Sequence, residues 1–226
     1  MIPTPIDEQH EQHAQADRPL RADAARNREL VLQTARRLFA ERGLGVTLND
    51  IAHEAGVGVG TVYRRFPDKD AIIEALHEAK FASLVELAER AAAMESARDG
   101  LRAYVMGTLE LRASDRALAQ VIVHAVPASD TVRRSRVLLD ALVTAIVERA
   151  RVDGVMRQGF EARDVPMLVL MVGTVADRTK GCGPDVWRRY AQILVDGICP
   201  PASPASLLGE PLGPEELERA MHGSRD

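Results

Sequence analysis

The 226-residue sequence predicts an all-α fold of nine to ten helices. Three observations carry that prediction. Of twelve prolines, three precede residue 20 and six lie at or after Pro184, so only Pro67, Pro127 and Pro166 interrupt the stretch between. Proline lacks an amide proton and clashes with the preceding turn, so a long stretch nearly free of it can be helical. Ala, Leu, Arg and Glu, all strong helix formers, dominate that stretch. The period-2 alternation of a half-buried strand is not seen in it.

The elements follow from caps and apolar spacing. Leu30, Val31, Ala35, Leu38 and Phe39 mark one helix face, with Gly43 as its stop. Thr47 with Asp50 three residues on resembles a capping box and opens a short helix, Leu48 to Ala55, ended by Gly56. A second short helix spans Val59 to Arg65. Asp68 then caps a long helix reaching about Met94. Ser96 with Asp99 opens another to about Ala113, and Ser114 begins one that ends before Pro127. Asp130 to Arg151 is closed by Gly154. Asp164 precedes a helix over 165–178, with Pro166 tolerated in its first turn. Pro184 starts the next, to about Gly197, and Pro214 to Met221 gives a last short helix. Residues 1–20 and 199–213, rich in Pro with Gln, Ser or Gly, are expected to be loose.

Composition bounds the class. Hydrophobic residues make up 46% and charged residues 27%, ordinary for a globular protein and unlike a disordered one. The longest mainly apolar stretch, Val165 to Ala176, is far short of the ~20 residues that span a bilayer. The N-terminus shows neither the basic nor the apolar region of a secretory signal. Cys182 and Cys199 are too few for a disulfide framework or a Cys-rich zinc site. A soluble, cytoplasmic protein without metal or cofactor is expected. Net charge is −4, but its distribution is uneven: −3 over residues 1–20, +3 over 21–69 and −4 over 70–226. The basic block is one compact segment.

Inside it, residues 47–69 read TLNDIAHEAGVGVGTVYRRFPDK. Two short helices joined by a Gly-Val-Gly turn can bury Ile51, Ala52, Ala55, Val57, Val62 and Phe66 in one seam. Gly56 suits the left-handed backbone of a tight helix end. This is helix-turn-helix spacing, whose second helix enters the DNA major groove. On spacing alone an ordinary αα-corner is the preferred reading.

The residues themselves are more specific. Phe39 to Gly43, Thr47, Ile51–Ala52, Ala55–Gly56–Val57, Gly60–Thr61, Tyr63, Phe66 and Lys69 fall in register with the signature of one family. The segment resembles the TetR-type (tetracycline-repressor-like) bacterial transcriptional regulators. Gly58 stands where that pattern has Ser, and Ile73 where it has Leu. Composition makes 1–20 a flexible tail and 199–226 a Pro-rich C-terminal tail with the last short helix; the resemblance implies a three-helix DNA-binding domain over 21–69 and a larger helical ligand-binding and dimerisation domain over 70–198. It assigns phosphate contacts to Thr47, Tyr63, Arg65 and Lys69, which fix register without reading sequence. Base contacts fall to Asn49, Val59, Gly60, Thr61 and Arg64, with Arg64 suited to a bidentate pair on guanine. Arg26 and Arg28 would meet phosphate or the minor groove. A solvated helix face is the plain alternative for each Arg.

Further along, the same resemblance places Tyr104, Thr108, Ile122, His124, Leu142, Met167, Met171 and Thr174 on helices that line an effector cavity. Plain core is the simpler reading for any one of them. Val169, Val172, Val175, Trp187, Tyr190 and Leu194 lie on the two helices that match a dimeric four-helix bundle. No catalytic motif stands out: Gly56 to Gly60 is not a dinucleotide fingerprint, and His53-Glu54 and His77-Glu78 lack the second His of a zincin. The expectation is a non-enzymatic homodimeric repressor that binds a palindromic double-stranded operator and responds to a small molecule. The alternatives are an activator, and a helical small-molecule binder or enzyme with a vestigial helix-turn-helix.

Overall fold

The computed structural model of the chain describes residues 7–114, 129–183, 185–203 and 206–222. Among the described residues it is all-helical, with no strand. In chain order the helices are α1 (Asp7–Arg42), α2 (Leu48–Ala55), α3 (Val59–Arg65), α4 (Lys69–Ala92), α5 (Ala97–Ser114), α6 (Asp130–Val152), α7 (Val165–Arg178), α8 (Val186–Ile198) and α9 (Pro214–His222). The helix expected between Ser114 and Pro127 lies outside the described residues. Contacts divide the chain into two compact units, Met1–Leu76 and His77–Asp226.

In the first unit, α1 reaches back to Asp7, into a segment expected to be loose. Residues 8–16 are Glu, Gln, His and Ala, and the straight-chain and Ala members lose little freedom in a helix. That local preference outweighs the break expected at Pro19. Val31, Leu32, Ala35, Leu38 and Phe39 of α1 bury against Ile51, Ala52 and Ala55 of α2, with Val62, Phe66, Ile72 and Ile73 completing the core. Fully burying one such large aliphatic or aromatic side chain contributes roughly 1.5–3 kcal/mol. Gly43 and Gly56 both adopt left-handed backbone, with φ of 71° and 64°, where a Cβ would be strained.

In the second unit α5 is central and packs on α6, α7 and α8. Leu101, Tyr104, Val105 and Leu109 of α5 meet Val143, Ile146 and Val147 of α6, Leu168 and Val172 of α7, and Trp187, Ala191 and Val195 of α8. Polar clamps cross this core. Arg102 donates to Asp196 at 2.6 Å, and Arg112 donates to Asp177 at 2.9 Å. Arg149 of α6 reaches the end of α4, donating to the carbonyls of Ala92 at 2.9 Å and Met94 at 2.8 Å. These are carbonyls that a helix end leaves without intrahelical partners. Gly100, buried in the first turns of α5, admits that close approach: a Cβ there would lie 2.6 Å from the Ala91 carbonyl oxygen.

Candidate nucleic-acid interface

The helix pair α2–α3 is set by local chemistry that propagates outward. Thr47 caps α2 with its side-chain oxygen accepting from the Asp50 amide at 3.2 Å, while the Asp50 carboxylate accepts from the Thr47 amide at 2.9 Å. The Thr47 hydroxyl also donates to that carboxylate at 2.7 Å. These bonds, the hydroxyl one first, hold the Asp50 carboxyl below the usual carboxylate range. At the other end, the Gly56 and Val57 amides donate to the carbonyls of His53 and Ala52. The chain then turns through Gly58, whose carbonyl accepts from the Thr61 and Val62 amides.

Only Val62 of α3 is buried. Val59, Gly60, Tyr63, Arg64 and Arg65 are exposed, and Thr61 is half-exposed. Val59 and Tyr63 are each open over 45% of their surface, large for apolar or aromatic residues on so short a helix. Gly60 adds a sharper signal. Its backbone is not left-handed, and a Cβ there would meet nothing within 4 Å. Neither conformation nor packing within the chain calls for glycine, which costs a helix ~0.5–1 kcal/mol relative to alanine. A partner approaching from outside is a sufficient reason for it.

The electrostatics favour an anionic partner. Glu54 on α2 is held by Arg37 at 2.7 Å and Arg42 at 3.6 Å, and the Arg37 hydrogen bond keeps its carboxyl below the usual range. Arg26 pairs with Asp23. Arg28 instead stacks 5.9 Å over the Phe66 ring, and Arg64 donates to the Thr61 hydroxyl at 3.2 Å. Positive charge at Arg28 and Arg64 is therefore carried beside an aromatic ring and a hydroxyl rather than beside an acid. The cation–π contact had no signal in the spacing, because it joins residues 38 apart in sequence.

Two of the expected phosphate ligands sit differently from the expectation. Both donors of Thr47 go to Asp50, so its role here is to set α2 rather than to offer a free hydroxyl or amide. Lys69 is half-buried and its Nζ donates to the Leu44 carbonyl at 2.6 Å, tying the start of α4 to the turn after α1. Asn49 is exposed on α2.

In the second unit several expected positions need correction. Met167, Met171 and Thr174 are exposed on α7 rather than lining a cavity, and the Thr174 hydroxyl donates to the Leu170 carbonyl at 2.9 Å. Tyr104 and Thr108 are core residues, with the Thr108 hydroxyl on the Tyr104 carbonyl at 2.8 Å. Leu142 is half-buried, while Ile122 and His124 lie outside the described residues. Val172 and Trp187, expected at a subunit interface, are instead buried in the unit's own core, Val172 completely. The cause is that α7 is apolar on nearly every side, so its spacing could not say which face turns inward. Its exposed apolar face is Met167, Leu170 and Met171, and Ile193 is exposed on α8. Val169, Val175, Tyr190 and Leu194 are half-buried. Among the described residues no helix is long and apolar enough to cross a membrane, and no group of three or more His, Cys, Asp or Glu converges as a metal site would require.

Residues 31–76, the span from mid-α1 into α4, match the family model described as bacterial regulatory proteins, tetR family. An HTH-type transcriptional regulator of Staphylococcus aureus (strain USA300) is 45% identical over 51 residues, which is 22% of this chain and 28% of that protein. The chain thus covers little more than a quarter of this relative's length. Solved structures extend the likeness. The TetR transcription regulatory protein from Mycobacterium vanbaalenii is 28% identical, with a TM-score of 0.57 over 80% of this chain and 99% of that one. A TetR transcriptional regulator from Streptomyces coelicolor is also 28% identical, with a TM-score of 0.54 over 77% and 99%.

Proposed function

We propose that the chain, whose residues 31–76 match the family model described as bacterial regulatory proteins, tetR family, is a cytoplasmic transcriptional repressor that binds a two-fold symmetric DNA operator as a homodimer. The observation that carries this reading is the outward face of α3. A helix with one buried residue, an unforced glycine and two exposed arginines fits a major groove. Arg64 would read guanine, and Val59 and the Thr61 methyl would meet thymine methyls, while Tyr63 and Arg65 would anchor phosphates.

The exposed apolar face of α7 supports this reading, because contiguous apolar surface of that kind marks an interaction site through which two copies would pair. Leu170, 59% exposed between Met167 and Met171, is the central residue of that face. A C2 pairing of the face with itself would give the symmetry that a palindromic operator requires. A small molecule among the helices of the second unit would weaken operator binding if it favours the DNA-free arrangement, by the ~5- to 150-fold typical of such coupling.

The test is selection of bound sequences from a random duplex pool, followed by Arg64→Ala. Enrichment of an inverted repeat is expected, with Arg64→Ala relaxing preference at one position per half-site by about 1–3 kcal/mol. Equal retention of all sequences would overturn specific recognition. Leu170→Asp should convert a dimer to monomers in sedimentation, and an unmodified protein that sediments as a monomer would remove the dimeric reading.

A further inference from the structure

Beside the exposed face of α3, within the first unit, lies a cleft of about 420 Å³ between α1 and the α2–α3 turn. Its floor is apolar, made by Val31, Val57, Val62 and Phe66. Arg28, Arg64 and Arg65 line it as well, and among the described residues none that line it is acidic. The acids of α2 nearby in sequence are committed elsewhere, Asp50 to Thr47 and Glu54 to Arg37 and Arg42. Three arginines therefore line an apolar hollow with no carboxylate among its described walls. The volume lies within the ~300–1,000 Å³ of small-molecule sites, which combine apolar walls with a few fixed polar groups.

A bare phosphate would satisfy the arginines and leave the floor wet. A neutral apolar molecule would fill the floor and offer the three arginines no anion. Only a molecule with both parts answers the whole site. We infer that this cleft binds an amphipathic organic anion: a flat apolar body seated against the half-buried Val57, with a carboxylate, sulfonate or phosphate at its edge held by the arginines. Guanidinium is suited to such an edge because its planar donors match a two-oxygen acceptor. Thr61, Arg64 and Arg65 also belong to the face assigned to DNA. An occupant of the cleft would thus compete with DNA directly, without a conformational signal from the second unit. That consequence rests on the proposed function, whereas the anion site itself does not.

The experiment uses the full chain with methyl-labelled valines and 2-naphthalenesulfonate as the probe, with 2-naphthalenesulfonamide as its neutral counterpart. Saturable shifts at the Val57 and Val62 methyls are expected for the sulfonate, with the sulfonamide about tenfold weaker, since a charge-assisted hydrogen bond contributes roughly 1.5 kcal/mol or more. Ala25→Trp, which places an indole at the mouth from an exposed position of α1, should weaken the sulfonate about tenfold at an unchanged melting temperature. Arg28→Gln should do so as well, through charge. Equal affinity for sulfonate and sulfonamide would overturn the proposal, as would shifts confined to valines of the second unit. Random duplex DNA displacing the sulfonate supports both the site and its consequence. If the duplex shifts these methyls and the sulfonate does not, the cleft serves the DNA backbone alone and the proposal falls. Sulfonate held in the cleft beside unhindered DNA would uphold the site and reject α3 as the DNA-facing helix.

Discussion

Replacing Gly100 with alanine should destabilise the second unit although alanine is the better helix former. The added Cβ would lie 2.6 Å from the Ala91 carbonyl oxygen and 2.9 Å from Arg149 Nη2, about 0.8 Å and 0.5 Å inside ordinary contact. The first neighbour is backbone of α4 and cannot rotate away. The second is a guanidinium already committed to the Ala92 and Met94 carbonyls. Propensity favours alanine by at most ~1 kcal/mol. Overpacking costs about 1–3 kcal/mol, and weakening a hydrogen bond from a charged donor costs about 1.5–3 kcal/mol. The net loss is then about 1.5–5 kcal/mol, which lowers the melting temperature by roughly 3–20 °C at ~2–4 °C per kcal/mol for a chain of this size. Thermal melts followed by circular dichroism read this directly. Gly197→Ala is the control, since a Cβ there meets nothing within 4 Å; it should leave the melt unchanged or raise it slightly. An unchanged or raised melting temperature for Gly100→Ala would refute the claim that α5 is seated against the end of α4 through this glycine.

Three further outcomes are expected. Thr47→Val removes the hydroxyl of the α2 cap and should lower the melting temperature by a few degrees. Because Asp50's folded carboxyl titrates below its unfolded value, its contribution is present above about pH 4 and lost as pH falls through the folded value; Thr47→Val should shrink that acid-side loss, and identical pH profiles would count against the box. Burial pushes the Tyr104 phenol up to about 12, opposed by a hydrogen bond with Thr108. A raised folded value means that stability is complete below about pH 10 and falls as pH rises through 12, by about 2–3 kcal/mol. Urea midpoints from pH 9 to 12 should show this loss in the native protein and not in Tyr104→Phe. Lys69→Ala should lower the melting temperature by releasing the Leu44 carbonyl; if Lys69 also meets phosphate, the log–log salt slope of DNA binding falls by about 0.9 per subunit. A slope unchanged within error would assign Lys69 to the fold alone.

What could be read from sequence was what depends on neighbours along the chain. The box at Thr47 and Asp50, the left-handed Gly56 and Gly154, and the Ser96 oxygen accepting the Asp99 amide at 3.2 Å are all set within four residues, and all were legible. The helix bounds of α2 and α3 followed from them. Facing direction was legible where polar and apolar residues alternate, as on α3, and illegible on α7, where Val172 and Leu170 look alike in sequence but one is buried and the other open. The partners of Arg28, Arg112 and Arg149 were out of reach for another reason. Each meets a group 38 to 65 residues away, and nothing in an arginine's sequence context specifies which distant helix it will touch.

The single buried residue of α3 has a consequence for how such a protein diverges. Val62 alone ties that helix to the core, and the positions around it contact little but solvent. Exposed substitutions away from caps and cores usually change stability by no more than about 0.5 kcal/mol. Residues 59, 60, 61, 64 and 65 are therefore nearly free of folding constraints. Under the proposed function, duplicated copies of this chain could acquire new target sequences by point changes there, each intermediate remaining folded. Selection for fold and selection for target act on almost disjoint sets of side chains, and reprogramming by exchange of those five residues, with Val62 retained, needs no redesign of the rest.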